Sequence, residues 1–181
     1  DIPVRRAEAV AFVINNYGYV GTGRHWDFLS DFYRYNPDTN TWTQIADFGG
    51  GERILAASFV LQGCGYVGMG ENYDNYCRDF WYYDPSNNTW TQIYMFPASG
   101  KSGVVGFNIG NYGYIAGCYR DVWLYDPYNN FWSLITELEY GITFAVAFVI
   151  NDSAYIGTGR LGIGSYSYVL NDFWQLTNIY P

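Results

Sequence analysis

Gly18-Tyr19-Val20-Gly21-Thr22-Gly23 is the stretch that decides the fold, because the chain repeats it three more times. The copies are Gly65-Tyr66-Val67-Gly68-Met69-Gly70, Gly113-Tyr114-Ile115-Ala116-Gly117-Cys118 and Ala154-Tyr155-Ile156-Gly157-Thr158-Gly159. Their tyrosines lie 47, 48 and 41 residues apart. A second phrase travels with the first: Asp31-Phe32-Tyr33-Arg34-Tyr35-Asn36-Pro37, Asp79-Phe80-Trp81-Tyr82-Tyr83-Asp84-Pro85 and Asp121-Val122-Trp123-Leu124-Tyr125-Asp126-Pro127. It recurs without its proline as Asp172-Phe173-Trp174-Gln175-Leu176. Self-similarity at this period makes each repeat one small unit that buries its apolar faces only by stacking on its neighbours.

Within a repeat the pattern reads as four strands. In the first, Ala7 to Ile14 is a β-rich run, Asn15-Asn16 a turn, and Tyr17 to Thr22 the second strand. A loop from Arg24 to Ser30 leads to a third strand, Asp31 to Tyr35. Asn36-Pro37-Asp38-Thr39-Asn40 is turn chemistry, in which proline presets φ and Asn and Asp bond back to the backbone. Thr41 to Ile45 is the fourth strand. The second repeat places strands at Arg53 to Leu61, Cys64 to Met69, Asp79 to Tyr83 and Thr89 to Ile93. In the third only Tyr119 and Arg120 stand between Cys118 and Asp121, which accounts for most of the shortened spacing, and Phe131 to Ile135 closes the unit. The fourth has Phe144 to Ile150, Ala154 to Thr158, a long loop from Arg160 to Asn171, and Phe173 to Leu176, but no fourth strand. The expectation is a single all-β domain of four antiparallel units, at about 4–48, 52–96, 101–138 and 142–181.

Composition narrows the function classes. Aromatic residues make up 22% of the 181 residues and charged residues 14%, with 21 glycines, which suits aromatic-faced sheets joined by tight turns and excludes disorder. The net charge of −8, with nine basic residues of which Lys101 alone is lysine, speaks against a nucleic-acid surface. No apolar run approaches the ~18–20 residues that span a membrane as a helix. The stretch opens at Asp1 without methionine or signal peptide, from which processing or truncation is expected. Abundant Tyr, Asn and Gly with almost no Lys is read as an extracellular or cell-surface composition.

The repeats resemble the kelch repeat, whose units are blades of a β-propeller. The resemblance rests on the glycine-rich second strand, the aromatic third strand opening on Asp, the Asx-Pro turn and the Trp that follows it at Trp42 and Trp90, with Trp132 in the same place. A basic residue ahead of strand one, Arg6, Arg53 and Lys101, fits as well, although Ile142 stands there in the fourth repeat. The phrasing looks especially like the kelch repeats of secreted bacterial proteins labelled galactose-oxidase-like. The resemblance implies a kelch-type β-propeller in which the loops between strands two and three share one face. It also implies that Trp42, Trp90 and Trp132, with Trp81, Trp123 and Trp174, fill contacts between blades.

Chemistry is poorly supported. Copper-radical oxidation, which the family label implies, needs more than one histidine, and His25 is the only one; zinc has neither paired histidines nor CxxC spacing. His25 reads as an exposed loop residue. Asp31, Asp79, Asp121 and Asp172 occupy one position in four blades, so they read as structural groups bonding local backbone amides rather than as a catalytic pair. The glycine-rich strands lack the Lys-Ser/Thr and helix of a phosphate loop. No cofactor or metal is expected.

The loops between strands two and three vary most. Trp26 in the first, Tyr73 and Tyr76 in the second, and Tyr166 and Tyr168 in the fourth are the candidate binding residues, since planar side chains among Asp, Asn and Arg suit a sugar ring or a protein partner. The competing reading is that these rings pack on each other. Asn87 and Asn151 head glycosylation sequons in hairpin turns. Cys77 and Cys118 are a candidate disulfide between adjacent blades, with Cys64 out of reach. The reading is a non-enzymatic interaction, adhesion or assembly module for a protein or glycan; the alternative is part of a glycan-active enzyme whose site lies partly outside this stretch. The missing strand leaves an open sheet edge, for which further blades, a closed four-bladed ring or completion by neighbouring molecules all remain open.

Overall fold

The structure is a computed structural model that describes residues 1–117, 119–161, 168–177 and 179. These residues form strands, turns and loops with no helix, in two compact units, Asp1–Ser102 and Gly103–Pro181. In the first unit β1 (Val10–Ile14), β2 (Tyr17–Gly21), β3 (Phe32–Asn36) and β4 (Thr41–Ile45) make one antiparallel meander. A second meander follows from β5 (Ala57–Leu61), β6 (Cys64–Gly68), β7 (Phe80–Asp84) and β8 (Thr89–Gln92). The second unit holds β9 (Val105–Ile109), β10 (Tyr112–Ala116), β11 (Asp121–Asp126) and β12 (Phe131–Glu137). Its other sheet has three strands, β13 (Val146–Ile150), β14 (Ser153–Gly157) and β17 (Phe173–Leu176). Among the described residues this sheet has three strands, with no outer fourth strand, as expected. The loop expected between Arg160 and Asn171 carries a short extra hairpin, β15 (Arg160–Leu161) and β16 (Tyr168–Val169).

Strand one begins later than its hydrophobic run indicates. Two residues before β1, β5, β9 and β13 stand Glu8, Leu55, Gly103 and Phe144, with φ of 59°, 54°, 68° and 55°. A left-handed residue ends the extended run, and for a non-glycine it costs roughly 1–2 kcal/mol. The kink is used: Leu55 N donates to Glu8 O at 3.1 Å in the first unit, and Phe144 N to Gly103 O at 2.8 Å in the second. Each backbone step thereby ties one sheet to the next.

The repeated glycines make room for rings. Gly21 pairs with Phe32 and Gly68 with Phe80 across the second and third strands, and a Cβ on either glycine would overlap the facing ring. Gly157 and Phe173 repeat the arrangement. In the third sheet Ala116 faces Val122, so a larger residue on one side is matched by a smaller one on the other. Phe12 stacks on Tyr19, Phe59 on Tyr66, Phe107 on Tyr114 and Phe148 on Tyr155, with centroids 5.1–5.4 Å apart.

Tryptophans join sheets in part. Trp90 lies 5.0 Å from Phe32 and 4.9 Å from Phe48, and its indole N–H donates to Ala46 O at 3.0 Å, so it binds the second sheet to the first. Trp81 meets Phe48 edge-on. Trp174 packs against Tyr140 in the second unit, and Trp132 is 1% exposed. Trp42, by contrast, is half-buried against Tyr35 of its own sheet.

The Asx-Pro turns close as their residues indicate. Asn36, Asp84 and Asp126 accept from the backbone two residues on, at 2.8–3.0 Å. Each turn ends on a left-handed Asn, and Asn40, Asn88 and Asn130 each accept a hydroxyl bond from Tyr35, Tyr83 and Tyr125. Asn87 and Asn151 are both exposed in their turns. Cys77, proposed to pair with Cys118, is a buried free thiol, and burial pushes its pKa up; Cys118 lies outside the described residues.

Candidate functional site

The repeated aspartates are structural, but their partners differ from those expected. Asp31 is held by both terminal nitrogens of Arg6 at 2.9 Å, and Asp79 by both of Arg53 at 2.9 and 3.0 Å. The Trp81 indole adds a bond to Asp79 at 2.7 Å, and Trp123 donates to Asp121 at 3.2 Å. The side chains thus bond guanidinium and indole groups, with a local backbone amide among the partners of Asp79, and the charged fork is the strongest donor for a half-buried carboxylate. In the fourth repeat, where Ile142 replaces the basic residue, the Tyr140 hydroxyl donates to Asp172 instead. Burial raises the Asp79 pKa, but the Arg53 hydrogen bonds and charge, with the Trp81 bond, outweigh it and hold the carboxyl below its ordinary value.

The variable loops rise from this framework. In the first unit, Gly23 turns the chain out of β2 with φ of 87°. Arg24 then bridges Ala7 and Phe28, while Leu29 N donates to Gly23 O at 2.8 Å and closes the loop's neck. Trp26 stands at the tip, 87% exposed, beside the His25 ring at 5.0 Å. Arg24 reaches Glu8 at 2.8 Å in an exposed ion pair. The second loop is closed alike: Glu71 bridges Ile54 and Tyr76, and Cys77 N donates to Gly70 O at 2.8 Å. Asn72 Oδ1 accepts from Asp74 N and Asn75 N at 3.0 and 2.8 Å and fixes the tip.

The two loops are joined. Tyr73 stacks on Phe28 with centroids 4.2 Å apart and planes 13° from parallel, and its hydroxyl accepts from Phe28 N at 2.9 Å. Tyr73 therefore serves as a staple, the packing role that competed with ligand contact. Tyr73 is still 62% exposed, and Trp26 and Tyr76, at 87% and 60%, are likewise presented to solvent. In the second unit Tyr168 is 69% exposed on β16, and Leu170 N donates to Gly159 O at 3.0 Å beneath it. Tyr166 lies outside the described residues. Phe28 and Val169, the latter 82% exposed, were not singled out by sequence; an isolated Phe or Val in a loop carries no signal of its own.

Among the described residues no three His, Cys, Asp or Glu side chains gather as a metal-binding group. The site can offer flat apolar surfaces on ordered loops that also carry Arg24, Asp27 and Asp74.

Alanine at Trp26 is expected to leave folding stability within about 0.5 kcal/mol, as for an exposed residue without packing. Alanine at Tyr73 is expected to cost about 1–2 kcal/mol through the lost stack and hydrogen bond. Thermal unfolding of the two variants side by side checks the contrast, and equal melting temperatures would refute the staple.

A family model described as Kelch motif matches residues 5–49. A solved structure described as YjhT superposes with a TM-score of 0.75 at 19% identity, over 86% of this chain and 59% of that one. This chain thus spans under two thirds of that structure's length. Comparison with curated protein sequences gave no match.

Proposed function

From a chain that is a kelch-repeat β-propeller, we propose an interaction module that binds a protein or glycan partner through the loops between its second and third strands. The fold points to protein interaction in general; which partner is bound belongs to the loops and not to the fold. One observation carries the reading. Trp26 and Tyr76 stand exposed on loops whose necks are closed by backbone hydrogen bonds and which Tyr73 and Phe28 staple together. Loops whose backbone is already ordered lose less entropy on binding, so more of the contact energy of each exposed ring is left for affinity. Abundant Tyr, Asn and Gly with a single Lys support a module outside the cell or at its surface, where adhesion or assembly is its role in this reading. Self-association through open blade ends is a second mode that rests on other residues.

A glycan array and a binding titration with Trp26→Ala and Tyr76→Ala test the reading. Each variant is expected to weaken binding about tenfold or more, equivalent to ~1.4 kcal/mol, with melting temperature unchanged. Unchanged affinity in both would remove the loop face from consideration. The alternative, part of a glycan-active enzyme, would gain if the intact protein turned over glycan and Asp27→Asn or Asp74→Asn abolished turnover.

A further inference from the structure

β1 and β13 have the same sequence, Val-Ala-Phe-Val-Ile, and opposite burial. In β1, Val10, Phe12 and Ile14 are 4%, 8% and 2% exposed; in β13, Val146, Phe148 and Ile150 are 49%, 45% and 52% exposed. The rings hold the same pose, since Phe12 stacks on Tyr19 at 5.3 Å and Phe148 on Tyr155 at 5.4 Å. What differs is the neighbour. A Cβ on Gly65 would overlap the Phe12 ring, and Val60 and Val67 of the second sheet pack into the same cluster. Phe107 in the second unit is likewise buried, in one cluster with Ala154 and Ile156 of the following sheet. Among the described residues none covers Phe148 in this way.

The first sheet shows the complementary defect. Gly18 stands where Gly65 stands in the second repeat, yet a Cβ on Gly18 would meet only Tyr35 of its own sheet, at 3.6 and 4.0 Å. Val13, the counterpart of Val60, is 65% exposed, and Val20 is half-buried where Val67 is fully buried. One chain therefore carries a ring without a glycine to rest on and a glycine without a ring. We propose that the open face of the β13-β14-β17 sheet receives the first sheet of a second copy of this chain, with Phe148 resting on Gly18 as Phe12 rests on Gly65. The position takes a small residue wherever it is covered, Gly65 against Phe12 and Ala154 in the cluster with Phe107, and the chain itself presents Gly18 with its outer side free. Such a contact joins two different surfaces, so it repeats head to tail and does not stop at a dimer unless the rotation closes. This mode is independent of the loop site, since it uses none of the loop residues.

Sedimentation of the 181-residue chain over a wide concentration range tests it. The expected result is a sedimentation coefficient that rises with concentration past that of a dimer. Phe148→Asp and Val13→Asp, both at exposed positions, are each expected to weaken association about tenfold or more with the melting temperature retained. Mixed together, the two variants are expected to form a one-to-one dimer that grows no further, because each keeps one working face. If Phe148→Asp does not fold, Ile150→Lys probes the same face. A chain that stays monomeric at every concentration, with its faces closed on each other or kept for a blade of a different protein, would overturn the proposal. A dimer that Val13→Asp does not weaken would overturn it as well, by showing a symmetric contact. Loss of glycan or protein binding by loop variants leaves this measurement unaffected, so the two readings fail separately.

Discussion

Replacing Arg53 by alanine is expected to cost about 3–5 kcal/mol of folding stability, the range for breaking a buried ion pair by removing one partner. Arg53 is 1% exposed and the Asp79 side chain 22%. The guanidinium also donates to Met69 O and Gly50 O and lies 4.6 Å from the Phe48 ring centre. Alanine removes all of this and leaves a half-buried carboxylate with the Trp81 indole as its remaining side-chain donor. Arg24→Ala makes the control: its pair with Glu8 is 50% and 28% exposed, so a loss of at most about 1 kcal/mol is expected. The pH dependence carries a sign. Asp79 has a depressed pKa in the folded protein, so its contribution is present above the unfolded value, about 3.9, and is lost as pH falls through the folded value. Without Arg53 the largest influence left is burial, which raises the pKa. The stability that Asp79 adds above the unfolded value is then diminished, so the variant gains less stability than wild type as pH rises. Denaturant unfolding between pH 3 and 7 reads both effects, and parallel pH profiles for wild type and variant would refute this account of the pair.

The second large effect concerns glycine and its ring. Gly21→Ala is expected to cost about 1–3 kcal/mol, because the new methyl overlaps the Phe32 ring near its attachment, where the side chain yields least. Phe32 is fully buried against Phe12, Phe48 and Trp90, so Phe32→Val alone is expected to cost about 2–4 kcal/mol. The third sheet contains both changes at once, as Ala116 opposite Val122. The double variant Gly21→Ala/Phe32→Val is therefore expected to be more stable than the sum of the single losses predicts, by about 1 kcal/mol or more. Denaturant unfolding of the four proteins completes the cycle. Strict additivity would show that the two residues do not share one space.

Much of this was legible in the chain. The meander order, the Asx-Pro turns and the missing last strand follow from Gly, Pro, Asn and aromatic positions that act over two to five residues. What the sequence reading missed acts at longer range. Arg6 and Asp31 are separated by 25 positions, Arg53 and Asp79 by 26, and both had been noticed as repeated features without being joined. Phe28 and Tyr73 are 45 positions apart, so no local pattern in the sequence joins them as a staple. Strand one was drawn too long because Glu8 and Leu55 carry no turn signal; tertiary backbone bonds hold them left-handed. The hairpin in the fourth repeat has two residues per strand, too few to show a period of two.

The duplicated pentapeptide has a consequence for how the chain assembles. β1 and β13 present identical side chains to any partner, so nothing in their own surfaces tells β2 which of the two to accept during folding. Tyr17-Gly18-Tyr19 and Ser153-Ala154-Tyr155 offer almost the same opposing edge. The choice is made by the tether. Asn15-Asn16 and Asn151-Asp152 are two-residue links with both φ angles positive, a geometry matched to the twist of a hairpin. Closing a loop that short costs far less entropy than recruiting the distant twin across more than a hundred residues. Correct partnering in this molecule is thus a matter of timing: each hairpin must zip before its strand meets the copy, and slowing either turn hands the decision to chance encounter.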